Sequence, residues 1–252
     1  MKSFIDSHAH VTPKWFKDPL KVIEDSKTSL AGIVVIGLDP DEYQYLIDLA
    51  AAEPGFIRIA FGISPSYVHK INVEKFFQEI EAKIREANAV GEIGLDYYRV
   101  RDKALHEQQE QLFLRGIQLA NEQNLPLVIH SRGAEARVVK LLSQFAETKV
   151  ILHCFGGVNQ VSLACANGFF VSIPTAITYR REFREVAQKV SLDQLLIETD
   201  SPFLSPIRGQ KKNIPKNVEY AAREIAKLHN LSAVDVAYAT TKNAQTLFWR
   251  KF

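Results

Sequence analysis

Four of the seven histidines in this chain stand at the ends of short hydrophobic runs, and two carboxylates lie in similar runs. These candidate metal ligands are His8, His10, Glu92, His130, His153 and Asp200. Successive side chains on a strand point to opposite faces, so Asp6, His8 and His10 are expected to share one face. Two imidazoles two residues apart at a strand end are suited to binding one metal ion.

The six candidate ligands exceed what a four-coordinate catalytic zinc site with an open position needs. They suit two metal ions roughly 3.5–4 Å apart that share a bridging carboxylate and a bridging water. We expect Glu92, which comes from the middle of the chain, to bridge the ions. Of the other ligands, His8, His10 and Asp200 would bind one ion. His130 and His153 would bind the second ion.

A buried carboxylate needs either a basic partner or a cation. For Glu92 the alternative to metal binding is therefore an internal salt bridge, with Arg99 or Arg132 as its partner. The remaining histidines, His69, His106 and His229, fall in a predicted loop and near predicted helix ends, where surface and capping roles are ordinary.

The hydrophobic runs predict eight strands that alternate with helices. The strands are predicted around Ile5 and over 32–37, 56–62, 89–94, 125–130, 149–153, 169–173 and 194–199. The helices are predicted over 20–27, 39–52, 73–87, 104–123, 134–145, 158–166, 181–190, 217–229 and 232–248. Alternating β and α elements in a chain of 252 residues predict a single-domain (β/α)8 TIM barrel over 1–252. The catalytic face of such a barrel lies at the C-terminal ends of its strands, where the candidate ligands fall.

Composition sets broad limits on function. The net charge of +2 is too small to indicate nucleic-acid or membrane binding by itself. Two cysteines are too few for a disulfide framework, no signal peptide follows Met1, and no apolar run reaches membrane-spanning length. We expect a cytoplasmic protein with no membrane association and no evident obligate protein partner.

With these residues in place, the chain resembles the TatD-type metal-dependent deoxyribonucleases, within the wider group of amidohydrolase-like barrels. The resemblance extends over nearly the whole chain and rests on an ordered set of motifs. They are Asp6-Ser-His8-Ala-His10, Gly91-Glu92-Ile-Gly-Leu-Asp96, Leu125-Pro-Leu-Val-Ile-His130-Ser-Arg132, His153-Cys-Phe155, Glu198-Thr-Asp200-Ser-Pro202, Arg208-Gly209 with Asn213 and Pro215, and Asn243-Ala244 with Leu247-Phe248.

The resemblance implies a two-metal phosphodiesterase that acts on DNA, often as an exonuclease on a single strand or a 3′ end, with Glu92 bridging the metals. The chain departs from the family at Gly62-Ile63-Ser64-Pro65, where the family commonly has Gly-x-His-Pro. The usual histidine faces the substrate phosphate, whereas Ser64 offers one hydrogen bond and no charge.

In this interpretation the metals lower the pKa of a bridging water, and Asp200 accepts its proton as general base. Imidazole ligands favour Zn²⁺ or Mn²⁺, whereas the family is often described with Mg²⁺, so the identity of the two divalent cations stays open. Asp96, and Asp6 unless it belongs to a lower layer of the barrel, are expected to orient ligands from outside the metal shell.

Positive donors must also contact the phosphodiester. The predicted substrate contacts are Arg132, Ser64, Tyr97, Arg99 and Arg208. Guanidinium groups match phosphate geometry, tyrosines can stack on bases, and Arg208 belongs to a basic loop that also contains Lys211, Lys212 and Lys216. The alternatives are a salt bridge from Arg132 to Glu135 or Asp96, packing of the tyrosines at the barrel rim, and a solvated loop.

Two other functions are compatible with the same ligands. A two-metal site also activates water toward a carbonyl, as in an ester or amide hydrolase of the aminoacyl-tRNA or lactone type. The third hypothesis is a non-catalytic nucleic-acid-binding protein that keeps the metals for stability. The metal, the polarity of cleavage, DNA versus RNA, and the oligomeric state are not determined by the sequence.

Overall fold

Eight parallel strands follow one another in chain order around a barrel in the computed structural model, which describes residues 4–249. The strands are β1 (Phe4–Ala9), β2 (Leu30–Gly37), β3 (Ile57–Phe61), β4 (Ala89–Asp96), β5 (Leu127–Arg132), β6 (Val150–Leu152), β7 (Phe170–Pro174) and β8 (Leu195–Glu198). The predicted TIM barrel is therefore confirmed.

One α-helix lies between each pair of successive strands, and two more follow β8. They are α1 (Pro19–Ser26), α2 (Pro40–Ala52), α3 (Val73–Lys83), α4 (Ala104–Gln123), α5 (Glu135–Phe145), α6 (Val161–Ala166), α7 (Arg181–Lys189), α8 (Glu219–His229) and α9 (Ala233–Phe248). Short 3-10 helices span Pro65–Lys70, Ile84–Glu86, Thr175–Thr178, Leu192–Gln194 and Pro215–Val218. Within the described part of the chain, no helix is both long and apolar enough to cross a membrane.

Alternation along the strands produces two hydrophobic layers, as β2 illustrates. Ile33 and Val35 belong to the large cluster between the strands and the helices. Val34 and Ile36 belong to the smaller cluster that also contains Leu247 and Phe248 of α9. Helix α9 therefore packs against the inner layer of strand residues, and both faces of the sheet are buried, as in parallel sheets generally.

Element boundaries differ from the predictions where local backbone chemistry intervenes. Strand β5 begins two residues later than predicted because Pro126 has no N–H to donate to a ladder; its carbonyl accepts the Val90 N–H at 2.9 Å. Strands β4 and β5 then continue further than predicted, to Asp96 and Arg132, which are paired across the ladder. The predicted helix over 73–87 ends as an α-helix at Lys83, and the helix over 158–166 begins at Val161.

The barrel closes where the segment after β8 meets β1. The Asp200 N–H donates to the His8 carbonyl at 3.0 Å, and the His10 N–H donates to the Ser201 carbonyl at 2.7 Å. The buried Asp6 side chain supports this seam by accepting the Thr199 N–H at 2.9 Å and the Thr199 hydroxyl at 2.5 Å. Burial raises the pKa of Asp6 well above its ordinary value. The seam places His8, His10 and Asp200 side by side.

We expect Asp6→Ala to lower the free energy of unfolding by about 2–3 kcal/mol, because it leaves a buried N–H and a buried hydroxyl of Thr199 without this acceptor. Asp6→Asn should cost less, since its amide oxygen still accepts and burial already disfavours the charge. Urea unfolding followed by circular dichroism measures both. Equal losses for the two variants would show that the seam does not depend on an acceptor at this position.

Candidate metal centre

The six predicted ligands converge at the C-terminal end of the barrel. His8 and His10, on β1 and directly after it, place their Nε2 atoms 3.3 Å apart. The other ligands come from β4, β5, the residue after β6 and the segment after β8, and they are Glu92, His130, His153 and Asp200. All six lie within one connected network of ring and carboxylate contacts.

The Glu92 carboxylate lies between two pairs of imidazoles. Its Oε2 atom is 3.3 Å from His8 Nε2 and 3.7 Å from His10 Nε2. Its Oε1 atom is 2.7 Å from His130 Nδ1 and 3.8 Å from His153 Nε2. Each oxygen therefore faces a different histidine pair, which is the arrangement that a bridging carboxylate requires.

Asp200 completes the His8–His10 half of the site. Its Oδ1 atom is 3.4 Å from His10 Nε2 and 3.8 Å from His8 Nε2. Its backbone is in the left-handed region, with φ of 55°, and its N–H bond to the His8 carbonyl holds it at the barrel seam. The side chain retains 16% exposure, so water from the cleft has access to it.

Hydrogen bonds on the far side of three rings determine which nitrogen faces the centre. His10 Nδ1 is 3.3 Å from the Ile36 carbonyl, His153 Nδ1 is 3.0 Å from Glu198 Oε1, and His130 Nε2 is 3.1 Å from Asp96 Oδ2. When these nitrogens carry the protons, the opposite nitrogens present lone pairs to the centre. Only His8 Nδ1 among the four rings lacks such a partner within residues 4–249.

The donor set fits divalent cations. Glu92 and Asp200 form ion pairs with imidazoles alone, since no arginine or lysine of residues 4–249 lies within bridging distance of either carboxylate. The suggested salt bridges from Glu92 to Arg99 or Arg132 are therefore absent from this part of the chain. Three overlapping groups of ligand atoms in the described residues lie close enough to hold an ion: His8, His10 and Glu92; Glu92, His130 and His153; and His8, His153 and Glu198.

The pKa shifts show that the cluster requires positive charge. Burial would raise the pKa of Glu92, yet the charge of His153 and hydrogen bonds with His130 and His8 hold it well below its ordinary value. Burial would lower the pKa of His153, yet Glu198 and Glu92 raise it to about 10. Neighbouring carboxylates likewise raise the pKa of His10 and His130 against the effect of burial, whereas burial lowers the pKa of His8. Bound cations would balance the buried carboxylates directly.

Glu198 contacts the candidate centre but was not among the predicted site residues. It is fully buried on β8, and its Oε1 atom fixes His153 while its Oε2 atom has no partner within the described chain. The available signal was its position two residues after Leu196 of the inner layer, since side chains two apart on a strand face the same way. A glutamate inside a barrel requires a partner, and His153 provides one.

We expect Glu198→Gln to weaken metal binding by about 10- to 100-fold, the usual effect of changing a group that orients a metal-ligating histidine. The glutamine keeps the shape but removes the charge that holds the proton on His153 Nδ1. Isothermal titration with Zn²⁺ measures the change. An unchanged affinity would show that Glu198 does not orient His153 for metal binding.

Asp96 has an environment suited to orienting His130. Its Oδ2 atom contacts His130, while its Oδ1 atom accepts the Arg99 N–H at 2.8 Å. The fully buried Gln109 of α4 accepts the Asp96 N–H at 2.9 Å. Asp6, in contrast, bonds to Thr199 at the seam rather than to an imidazole ring.

A cleft of about 570 Å³ opens above the ligands and is lined by several of the predicted substrate contacts. Ser64 lies in its wall and bonds to Ser66 at 2.8 Å. Arg99 and Arg132 also line it. Arg132 forms no salt bridge with Glu135 or Asp96 within the described residues, and its guanidinium lies 4.1 Å above the Tyr98 ring.

Two predicted substrate contacts are placed elsewhere. Tyr97 stacks on His106 at 3.7 Å and donates its hydroxyl to Glu110 at 2.9 Å, so its ring packs at the barrel rim rather than facing the cleft. Arg208 is exposed on the loop after β8 and is not among the residues that line the cleft. In the same loop Lys212 donates a hydrogen bond to the Trp15 carbonyl at 2.7 Å. Lys211 is the cation of this loop that lines the cleft.

Comparison with known proteins gives concordant matches. The family model described as TatD related DNase matches residues 5–249. An uncharacterized metal-dependent hydrolase from Bacillus subtilis, YabD, is 35% identical and aligns over 96% of this chain and 98% of its own. The 3′-5′ ssDNA/RNA exonuclease TatD from Pantoea vagans is 31% identical over 92% and 93% of the two chains. The crystal structure of YjjV, a TatD homologue from Escherichia coli, superposes with a TM-score of 0.87 at 27% identity and covers 99% of both chains.

Proposed function

Because the chain belongs to the TatD-related DNase family, we propose that it is a metal-dependent hydrolase of DNA phosphodiester bonds that acts as a 3′ exonuclease. The observation that carries this proposal is Glu92, whose two oxygens face two different histidine pairs. The Pantoea vagans relative, a 3′-5′ exonuclease on ssDNA and RNA by name, supports the substrate class. The whole chain, 1–252, would act as one catalytic domain.

We assign two divalent cations to the centre, with Zn²⁺, Mn²⁺ and Mg²⁺ as candidates. One would be held by His8, His10 and Asp200, the other by His130 and His153, with Glu92 shared. When bound, such a pair polarises a phosphoryl oxygen and lowers the pKa of water between the ions. The imidazole content of the ligand set favours Zn²⁺ or Mn²⁺.

Asp200 would accept the proton that the attacking water loses. Burial would raise its pKa, yet the hydrogen bond with His10 and the charge of His153 hold the pKa below its ordinary value. The carboxylate is therefore ionised at neutral pH and has lone pairs available. As the new phosphorus–oxygen bond forms, the bond to the 3′ oxygen of the shortened strand breaks, and that oxygen would take up a proton from Asp200 or from solvent. The partial exposure of Asp200 toward the cleft permits either route.

Arg132 and Arg99 would bind the phosphates on the side of the cleft next to His130. A guanidinium group forms paired, charge-assisted hydrogen bonds with phosphate oxygens, and Lys211 adds a cation from the loop after β8. Ser64 offers a hydroxyl in the same cleft. Arg180 also lines the cleft, but it is paired with Glu182, whereas Arg99 has only a longer contact, 3.9 Å from its Nε to Asp96 Oδ2.

The proposal is tested by incubating Mn²⁺- or Zn²⁺-loaded protein in parallel with a single-stranded oligodeoxynucleotide, a lactone and an aminoacyl ester. We expect stepwise release of nucleotides from the 3′ end, abolished by a chelator, and no ester turnover. Ester hydrolysis without nucleotide release would reject the deoxyribonuclease and favour the carbonyl hydrolase.

We also propose a cytoplasmic location and no obligate protein partner. Cys154 and Cys165 are both free thiols, which agrees with a reducing compartment. Fractionation of the source cells tests the location. Recovery of the protein with an oxidising compartment would contradict it.

A further inference from the structure

An exposed aromatic ring lies beside the metal centre and has no role in the chemistry described above. Phe203 is 40% exposed in the cleft wall. It meets Trp15 edge to face, with ring centroids 5.1 Å apart and an interplanar angle of 75°. In this edge-to-face arrangement part of the Phe203 ring stays uncovered. The cleft wall therefore contains apolar surface that no group of residues 4–249 covers.

Phe203 is held on a fixed turn. Its N–H donates to the Asp200 carbonyl at 2.8 Å, and the Pro202 carbonyl accepts the Asn213 N–H at 2.9 Å. Trp15 is tied to the same loop through its carbonyl, which accepts from Lys212 at 2.7 Å. A ring with this support keeps its position, so little conformational entropy is lost when a flat ligand stacks on it.

The ring is close to the expected reaction site. The Phe203 centroid is 6.1 Å from the His10 ring, and the Trp15 centroid is 6.4 Å from the same ring. Phe203 also follows the proposed base, Asp200, by three residues. A planar group that stacks on Phe203 would therefore sit next to the bond being hydrolysed.

The charged residues of the cleft indicate which kind of planar ligand would stack on Phe203. Arg99, Arg132 and Lys211 place positive charge in the same cleft, so its ligand combines an anionic group with a flat ring. On the opposite side, the guanidinium of Arg132 already lies over Tyr98. The Phe203 ring is thus the open stacking surface in the wall next to His10.

We propose that Phe203, supported by Trp15, forms a stacking subsite for an unpaired nucleobase next to the scissile phosphodiester. The inference rests on the proposed function and deepens it by naming the side chains that would bind one base of the substrate. Stacking on aromatic side chains is tolerant of base identity, because every base has a π-face. A base inside a duplex has both faces covered by its neighbours, so the subsite selects single-stranded or frayed ends.

Equilibrium binding tests the subsite separately from hydrolysis. Three fluorescein-labelled single-stranded oligonucleotides of equal length serve as probes: one intact, one without the base of its 3′-terminal nucleotide and one without the base of its penultimate nucleotide. Affinities are measured by anisotropy with metal-loaded Asp200→Asn protein, alone and combined with Phe203→Ala, Phe203→Leu, Phe203→Trp or, as control, Tyr238→Ala. Tyr238 is 72% exposed on α9, in the helix that packs against the inner layer.

We expect the parent to bind one of the baseless probes about tenfold more weakly than the intact one, within the range that stacking supplies. Phe203→Ala and Phe203→Leu should weaken binding of the intact probe by a similar factor and abolish this discrimination. Phe203→Trp and Tyr238→Ala should retain it. If Phe203→Ala weakens all three probes equally, or leaves the discrimination intact, the subsite is wrong.

Hydrolysis by the wild-type protein, measured beside these binding data and compared with the Phe203 variants that keep Asp200, separates the two proposals. Base-dependent binding of DNA that is not cleaved would support the subsite and reject the proposed function. Cleavage by an enzyme that binds baseless probes as tightly as the intact probe would support the function and reject the subsite. Absence of any DNA binding would overturn the subsite.

Discussion

Glu92→Gln should reduce kcat/KM on a single-stranded oligonucleotide by at least about 10³-fold, because the variant loses an anionic ligand of both proposed ions at once. This exceeds the roughly 10- to 100-fold effect of changing an outer group such as Glu198. The amide keeps the shape of the side chain, so the loss reports on charge and ligation. Metal content measured by mass spectrometry should fall from two equivalents per chain to less than one.

The matched control is Glu135→Gln, which changes another carboxylate that lines the same cleft. Glu135 bonds to the Gly133 N–H at 3.1 Å and lies outside the ligand groupings. Its replacement should leave metal content unchanged. A Glu92→Gln protein that retains two ions and more than a tenth of its activity would refute a bridging role for Glu92.

Asp200→Asn should reduce kcat by about 10²- to 10⁴-fold, the contribution typical of general acid–base groups. Asparagine cannot accept the proton of the attacking water, but it retains an oxygen that faces His10. Binding of single-stranded DNA should therefore persist within a few-fold of wild type. Single-turnover hydrolysis and fluorescence anisotropy on the same preparation measure the two quantities.

Asp193→Asn provides the control for Asp200→Asn, since Asp193 is exposed in the 3-10 helix before β8. It should behave as wild type in both assays. Loss of hydrolysis with DNA binding retained would exclude a non-catalytic nucleic-acid-binding protein. Full hydrolysis by Asp200→Asn would instead remove Asp200 from the proposed proton transfer.

The sequence was sufficient to predict the barrel and the convergence of the six candidate ligands because both depend on short-range patterns. Continuous apolar runs such as that of β2 indicate strands buried on both faces. In a parallel barrel every strand presents its C-terminal end to the same rim. Residues as distant in sequence as His8 and Asp200 could therefore be assigned to one rim without knowledge of any loop.

The roles that could not be predicted from the sequence depend on contacts between distant secondary-structure elements. The bonds of Asp6 to Thr199 and of Glu198 to His153 span 193 and 45 positions of the chain, respectively. Each exists only after the barrel has closed, so no local pattern indicates it. The positions of Tyr97 and Arg208 outside the cleft could not be predicted, because the alternation of side chains along a strand does not determine the path of the loops at the rim.

Anomalous X-ray scattering from a crystal grown with Mn²⁺ or Zn²⁺ would locate the metal ions of the proposed centre. We expect two peaks roughly 3.5–4 Å apart at the C-terminal ends of the strands, with one oxygen of Glu92 toward each peak. His8, His10 and Asp200 should surround the first ion, and His130 and His153 the second. A single ion, or peaks away from Glu92, would contradict the two-metal centre.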